Sequence, residues 1–591
     1  MKVDTIIVGA GSAGLSALRE VRRCTHDFLL INHGHWGTTC AAVGCMPSKA
    51  LIEAANAVHR RHALDAFGID GADGLRADIP AVLARVRALR DDFVKGPSSV
   101  PDKLGERAIA GRARLAGPGA VEVDGQRIEA RAIILAPGSR PIVPGPWQAL
   151  GDRLLTSDAL FEQTDLPRRI AVIGLGAIGI ELAQALSRLG LEVAGFDAAG
   201  TLAGIDDPAV LSAFLPLVEA EFPVHLGAEA SLEDHGGAIR VTAAGTVFEA
   251  DAVLAAIGRR PNLDGLELET LGVPLDDRGM PALDPETLRI ADTGVFLAGD
   301  ANAHRPLLHE AADEGHIAGR PAAPDAPAQG LCRRTALAIT FCSPQVARVG
   351  PPFSALPEGT VTGEVDCARQ GRARIAAANA GLMRLYADPG DGRLLGVEMC
   401  APAGEHMAHL LALAVQRRLS VPQILAMPLL PPGAGRGPAH RPARPRAPAA
   451  RCRRLGPVGL RRDRPRRAGR TGQRGRERAR GLSIAGPAIM RPISPPLHRR
   501  RPRPAARFPH AGRGHRHRQR QRHHGPCRGP RDDQPGRGRR PGARAPARDP
   551  GQTLSHPDGP FPPRDRTCPV SQGPATAFRV VFCVPALLAC R

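Results

Sequence analysis

The chain has 591 residues and a formal net charge of +21. The length makes room for two to four domains, and the charge, taken whole, points to a polyanion binder. Its distribution excludes that reading for most of the chain. Residues 429–591 hold 39 Arg, no Lys and 7 acidic residues, which leaves residues 1–428 with a net charge of −11.

Twelve cysteines are too few and too scattered for a disulfide scaffold. The chain starts Met1-Lys2-Val3-Asp4 and enters a strand at once, without a signal-type apolar core. It holds no apolar run of about 18 residues. The acidic body is therefore expected in the cytoplasm, with no membrane partner. In a reducing compartment a close Cys pair is more often catalytic or metal-binding than structural.

Val3–Val8 reads as a strand, followed by Gly9-Ala10-Gly11-Ser12-Ala13-Gly14, a helix through Leu15, Leu18 and Val21, and a second strand at Phe28–Ile31. In that setting Gly9, Gly11 and Gly14 form a dinucleotide fingerprint: the glycines admit a pyrophosphate to the backbone and the helix N-terminus offers it free N–H groups. Asn32 stands where such a fold usually places an acidic residue for a ribose hydroxyl, and it is the weaker partner.

Cys40 and Cys45 follow in Thr39-Cys40-Ala41-Ala42-Val43-Gly44-Cys45-Met46-Pro47-Ser48-Lys49. A dithiol beside a nucleotide cofactor suits electron-pair transfer between a flavin and a disulfide, which requires thiols of depressed pKa. A helix starting after Cys40 would help supply this. The alternatives are half a zinc site, which needs two more ligands, or two inert thiols. Cys24, Cys332, Cys342, Cys367 and Cys400 show no partner spacing and read as small buried apolar residues.

The nucleotide unit recurs. Arg169–Ile173 is a strand, Gly174, Gly176 and Gly179 form the loop, a helix runs from Ile180 to Leu189, and a strand at Glu192–Phe196 ends in Asp197. A carboxylate there binds a ribose 2′-OH and repels a 2′-phosphate, so Asp197 favours NAD over NADP.

Two such folds with Cys-x4-Cys-x-Pro-Ser-Lys after the first resemble the flavoprotein disulfide reductases, whose members include dihydrolipoyl dehydrogenase, glutathione reductase and mercuric reductase. Further stretches match in order: Ala136-Pro137-Gly138-Ser139-Arg140-Pro141, Gly258-Arg259-Arg260-Pro261-Asn262, Val295-Phe296-Leu297-Ala298-Gly299-Asp300, and Phe341-Cys342-Ser343-Pro344-Gln345-Val346. The resemblance implies an α/β body with two Rossmann-like domains and an α+β dimerisation domain. FAD would bind residues 1–145 and 260–328, NAD residues 146–259, and the interface would take 329–428.

It also implies roles. Cys45 is the flavin-side thiolate and Cys40 the interchange thiol. Lys49 lies near the flavin, paired with Glu181. Thr39, Gly138, Ser139, Gly258, Gly299 and Asp300 belong to the cofactor sites, Asp300 holding the ribityl chain. No metal is expected. The expected activity is NAD-dependent dihydrolipoyl dehydrogenase acting on a carrier-bound dihydrolipoyl group or a small disulfide. The alternative is a mercuric or glutathione-type reductase; the first is disfavoured because no vicinal Cys-Cys pair ends the chain, the second because it prefers NADP.

The family ends in a His and, five residues on, a Glu, in a segment that reaches the partner subunit's disulfide. In the branch most like this chain, Met-Pro leads into Phe-Tyr-His-Pro-Val-x-Glu-Glu-Gly-Leu-Arg-Thr-Ala-Leu-Arg-Asp-Leu. Here Met427-Pro428 leads into Leu429-Leu430-Pro431-Pro432-Gly433-Ala434-Gly435-Arg436 and on to Pro445. One extra base at codon 429 converts the first text into the second for seventeen residues. Residues 429–591 thus read as out of frame, with Pro431 in place of the catalytic His and Arg436 in place of its Glu. The rival class is a basic nucleic-acid-binding protein with a degenerate flavin domain, but the tail has no Tyr or Trp to stack bases. The tail is expected to be disordered, to bind polyanions non-specifically, and to weaken the homodimer by replacing an interface segment.

Overall fold

A computed structural model describes residues 1–322 and 333–428. The expectations for Cys332 and for the tail lie outside those residues.

The first fold begins with β1 (Lys2–Val8), α1 (Ser12–Cys24) and β2 (Phe28–Asn32). Its apolar runs have almost no exposed residue: Ile6, Ile7, Leu30 and Ile31 are completely buried, as a parallel sheet covered on both faces requires. After β2 come a one-turn helix α2 (Thr39–Ala42), then α3 (Cys45–His59) and α4 (Ile79–Ser98). The ten-residue strand β3 (Gln126–Leu135) joins three neighbours. It pairs parallel with β1, antiparallel with Ala120–Val123, and parallel with the late strand Val295–Leu297. The return of residues 295–297 beside β3 brings Gly299 and Asp300 back to the first fold.

The second fold uses β4 (Arg169–Ile173), α5 (Ala177–Arg188) and β5 (Glu192–Asp197). Its five-stranded sheet is parallel throughout, with β4 between β5 and Ala252–Ala255. A two-strand ribbon, Ser139–Pro141 against Arg259–Pro261, joins the folds. α6 (Leu308–Ala322) then packs along α1. Residues 337–401 form a five-stranded antiparallel sheet covered by the helix Gly404–Gln416.

The helix expected after Cys40 starts at Cys45 itself and runs through Pro47, Ser48 and Lys49, while Cys40 lies in the one-turn α2. Gly44 breaks the run, with φ −121° and ψ −118°, outside the α region. Cys24 is not buried but exposed. It is the last residue of α1, past the buried face that ends at Val21. Cys342, Cys367 and Cys400 are buried as expected.

Candidate active site

Both fingerprints fold as tight loops for the same steric reason. A Cβ on Gly9 would sit 2.1 Å from the Ala136 carbonyl oxygen, and one on Gly14 would sit 1.8 Å from that of Gly9. Gly11 and Gly176 differ, since a Cβ on either would meet no protein atom within 4 Å. The protein's own packing therefore does not need these two glycines. Their bare backbone leaves room over the N-termini of α1 and α5, where a pyrophosphate lies in such folds.

A cavity of about 610 Å³ opens over the first loop, bounded by Gly9, Gly11, Asn32, Thr39 and Gly138 among the expected residues. It is lined as well by His33, His35 and Arg112, which the sequence reading missed. The two His lie one and three residues past Asn32, beyond the carboxyl end of β2, where ligands of open α/β sheets bind. Asn32 directs its side chain at the protein. Its Oδ1 accepts the Ala10 N–H (2.9 Å), and its Nδ2 donates to the His35 carbonyl (3.0 Å). Asp197 makes the matching bond in the second fold, accepting the Leu175 N–H at 2.5 Å and the Ala199 N–H at 2.8 Å.

Three motifs distant in sequence meet at Asp300. The Ser139 hydroxyl donates to its Oδ2 (2.8 Å) and accepts from Arg259 Nε (2.9 Å). Arg259 also pairs with Asp158 (3.0 Å). Next to Asp300, the Gly299 N–H donates to the buried Glu314 (2.7 Å), which fixes that loop against α6.

The sulfurs lie just past Thr39. The thiols face each other within hydrogen-bonding reach, and Cys45 is the first residue of α3. The Cys40 S–H bond to it lowers the Cys45 thiol from its ordinary 9.0 to about 7; the Lys49 ammonium adds to this, and burial opposes it. The helix N-terminus acts in the same direction as Lys49. Cys40 is driven far above the ordinary thiol range by the same bond and by burial. Elsewhere burial pushes Cys342 and Cys367 up to about 12 and Cys400 to about 11.

Lys49 lies one helical turn after Cys45. Its Nζ donates to both oxygens of Glu181 on α5 (2.7 and 3.0 Å), so this pair joins the first nucleotide fold to the second.

Residues 3–315 match the pyridine nucleotide-disulphide oxidoreductase family, and residues 337–433 match its dimerisation domain. The chain belongs to this family. As a pyridine nucleotide-disulphide oxidoreductase it is an FAD-dependent enzyme using NAD(H), and its dimerisation domain supports a homodimer. It is 30% identical over 436 residues to a dihydrolipoyl dehydrogenase of Chlamydia muridarum, covering 71% of this chain and 92% of that one. It is 31% identical over 440 residues to a dihydrolipoyl dehydrogenase of Halobacterium salinarum, covering 70% and 90%. The crystal structure of LpdA from Mycobacterium tuberculosis shares the fold with a TM-score of 0.64 at 24% identity, covering 73% of this chain and 97% of that one. Among the described residues, no helix is long and apolar enough to cross a membrane.

Proposed function

We propose that the gene encodes a cytoplasmic NAD-dependent dihydrolipoyl dehydrogenase, with Cys40 and Cys45 as its redox pair. The observation that carries the redox assignment is the place of the two sulfurs: Cys45 opens α3, with Lys49 one turn on and paired with Glu181, and Cys40 lies in the one-turn helix just before it. By the family resemblance Cys45 is the flavin-side thiolate, a role its lowered pKa suits, and Cys40 is the sulfur that exchanges with substrate. A dihydrolipoyl dithiol gives two electrons and two protons to the Cys40–Cys45 disulfide and leaves as the cyclic disulfide. FAD, when bound, carries the electron pair on to NAD⁺.

The chain's residues have separate tasks. Gly9, Gly11 and Gly14 cradle the FAD pyrophosphate, while Ser139 holds Asp300 for the ribityl chain. Gly174, Gly176 and Gly179 receive NAD, whose ribose meets Asp197. Lys49 and Glu181 set the charge beside Cys45. Choice of a carrier-bound dihydrolipoyl group over a small disulfide rests on the relatives' names, at about 30% identity.

The frame reading limits this chain. Pro431 and Arg436 stand where the family's His and Glu should be, and no other residue of the chain is assigned to accept the substrate thiol's proton, a task worth roughly 10²–10⁴ in rate. The dimerisation-domain match ends at residue 433, five residues past Pro428, in keeping with that reading. The test uses purified protein confirmed by mass to contain residues 429–591. NADH should reduce its flavin and disulfide at normal stoichiometry, while dihydrolipoamide turnover falls at least a hundredfold. Turnover like that of an intact family member would refute the claim of impairment. Failure of NADH to reduce the disulfide would refute the redox assignment. Resequencing around codon 429 checks the frame independently.

A further inference from the structure

The helix α5 carries a stripe of three buried polar residues, Glu181, Gln184 and Arg188. Their spacing of three and four residues places them on one face. The stripe grips the bend between the strands Leu337–Thr340 and Gln345–Val349 at the start of the dimerisation domain. Glu181 Oε1 accepts the Phe341 N–H (2.7 Å). Gln184 exchanges two bonds with the backbone of Ser343, donating to its carbonyl (2.9 Å) and accepting its N–H (2.8 Å). Arg188 donates to the Ser343 carbonyl at 3.4 Å, to Asn56 on α3 at 2.6 Å, and to both oxygens of Glu221.

This grip sets the Phe341 ring under Lys49, whose Nζ lies 4.3 Å from the ring centroid, within cation–π range. Phe341 thus touches both members of the ion pair, one through its backbone and the other through its ring. Lys49 is about one-third exposed, and a long side chain with that much solvent access has other rotamers available. The Glu181 carboxylate and the Phe341 ring are the two contacts that confine it.

We propose that Phe341 is a positioning residue for the redox pair. Its ring seats the Lys49 ammonium and its N–H aims the Glu181 carboxylate, so that docking of the dimerisation domain within one subunit sets the charge facing Cys45. The inference rests on the flavin–dithiol reading above and extends it to a residue of the dimerisation domain. The groups facing Cys45 are Cys40 from α2, Lys49 from its own helix and Glu181 from α5. Lys49 favours the thiolate and Glu181 opposes it, and removing the ring frees only the favourable partner.

The test reads the thiolate rather than turnover. The full chain, loaded with FAD, is reduced by two electrons without oxygen. The long-wavelength thiolate-to-flavin absorbance is then titrated against pH. Phe341→Leu and Phe341→Met keep apolar bulk and the backbone N–H but remove the π face, whereas Phe341→Tyr keeps it. In the first two the midpoint should rise by about half a pH unit, roughly a threefold fall in the thiolate-to-thiol ratio at fixed pH. The Tyr variant should match the parent. Flavin content and thermal midpoint report folding, and either Leu or Met suffices if the other fails to load. An unchanged midpoint in a loaded Leu or Met variant overturns the inference, as does an equal rise in the Tyr variant. A parent protein without any such absorbance refutes the flavin–dithiol reading itself, and the inference falls with it.

Discussion

Cys45 and the buried cysteines show how one side chain takes opposite characters from its surroundings. Burial first, and nearby charges after it, drive Cys342 and Cys367 up to about 12, which leaves them protonated and inert. Cys45 is also substantially buried, yet its Cys40 hydrogen bond, Lys49 and helix N-terminus outweigh that burial and bring it down to about 7. The sign of the pH effect follows: a lowered thiol pKa means the anion survives as pH falls from 9 and is lost only below about 7. The thiolate-to-flavin absorbance of reduced protein should therefore titrate with a midpoint near pH 7. A midpoint above 8.5 would contradict the assignment. At the other nucleotide, Asp197 has two backbone bonds and lone pairs left for a ribose hydroxyl. Asp197→Asn keeps the loop bond and removes the charge. It should raise KM for NAD about tenfold, the ~1.4 kcal/mol appropriate to a charge-assisted hydrogen bond, and narrow the preference over NADP. Equal KM values in parent and variant would remove Asp197 from the site.

Among the elements, the α1–α6 contact positions the Gly299–Asn302 loop. A Cβ on Gly315 would lie 2.1 Å from the Ala13 carbonyl oxygen, and one on Gly319 would lie 2.9 Å from the Ala17 backbone. Two glycines one turn apart thus let the helices approach backbone to backbone, and the same packing holds Glu314 against Gly299 and Asn302. Gly315→Ala must push the helices apart. Overpacking of this kind costs about 1–3 kcal/mol, and the shift should be transmitted to Asp300, so the variant should lose thermal stability and retain FAD less well. An unchanged melting temperature together with unchanged FAD retention would show that the contact is not tight. The steric purpose of Gly315 is not legible in the sequence, because Ala13 is its neighbour only once the two helices have packed.

At the scale of the molecule, the second nucleotide fold is fixed to the antiparallel domain at both ends. One end is the α5 stripe. The other is Asp207, fully buried at the start of the helix Pro208–Glu219, paired with Arg384 (2.7 Å) and accepting the Tyr386 hydroxyl (2.6 Å). Glu398 accepts the Asp206 N–H beside it. Breaking a buried pair by removing one partner leaves an uncompensated charge. Arg384→Met should therefore destabilise the protein by about 3–5 kcal/mol, read as a lower denaturant midpoint. A loss under 1 kcal/mol would mean that solvent or Tyr386 alone satisfies Asp207.

The nucleotide folds and the redox pair were readable because their signals are local. Val3–Val8 and Phe28–Ile31 announce strands by apolar runs, the glycines mark the loops between them, and Cys40 and Cys45 are five positions apart. Helix starts were less secure, because the break between α2 and α3 depends on the backbone at Gly44 rather than on any strong local breaker. What only the tertiary structure decided is the set of contacts to the pair from afar. Glu181 reaches Lys49 across 132 positions and Phe341 across 160, and no periodicity links residues so separated. A sequence records local geometry directly, through sterics and hydrophobic period. It records long-range charge placement only through the packing of whole elements, and that packing set Glu181 and Phe341 against Lys49 beside Cys45.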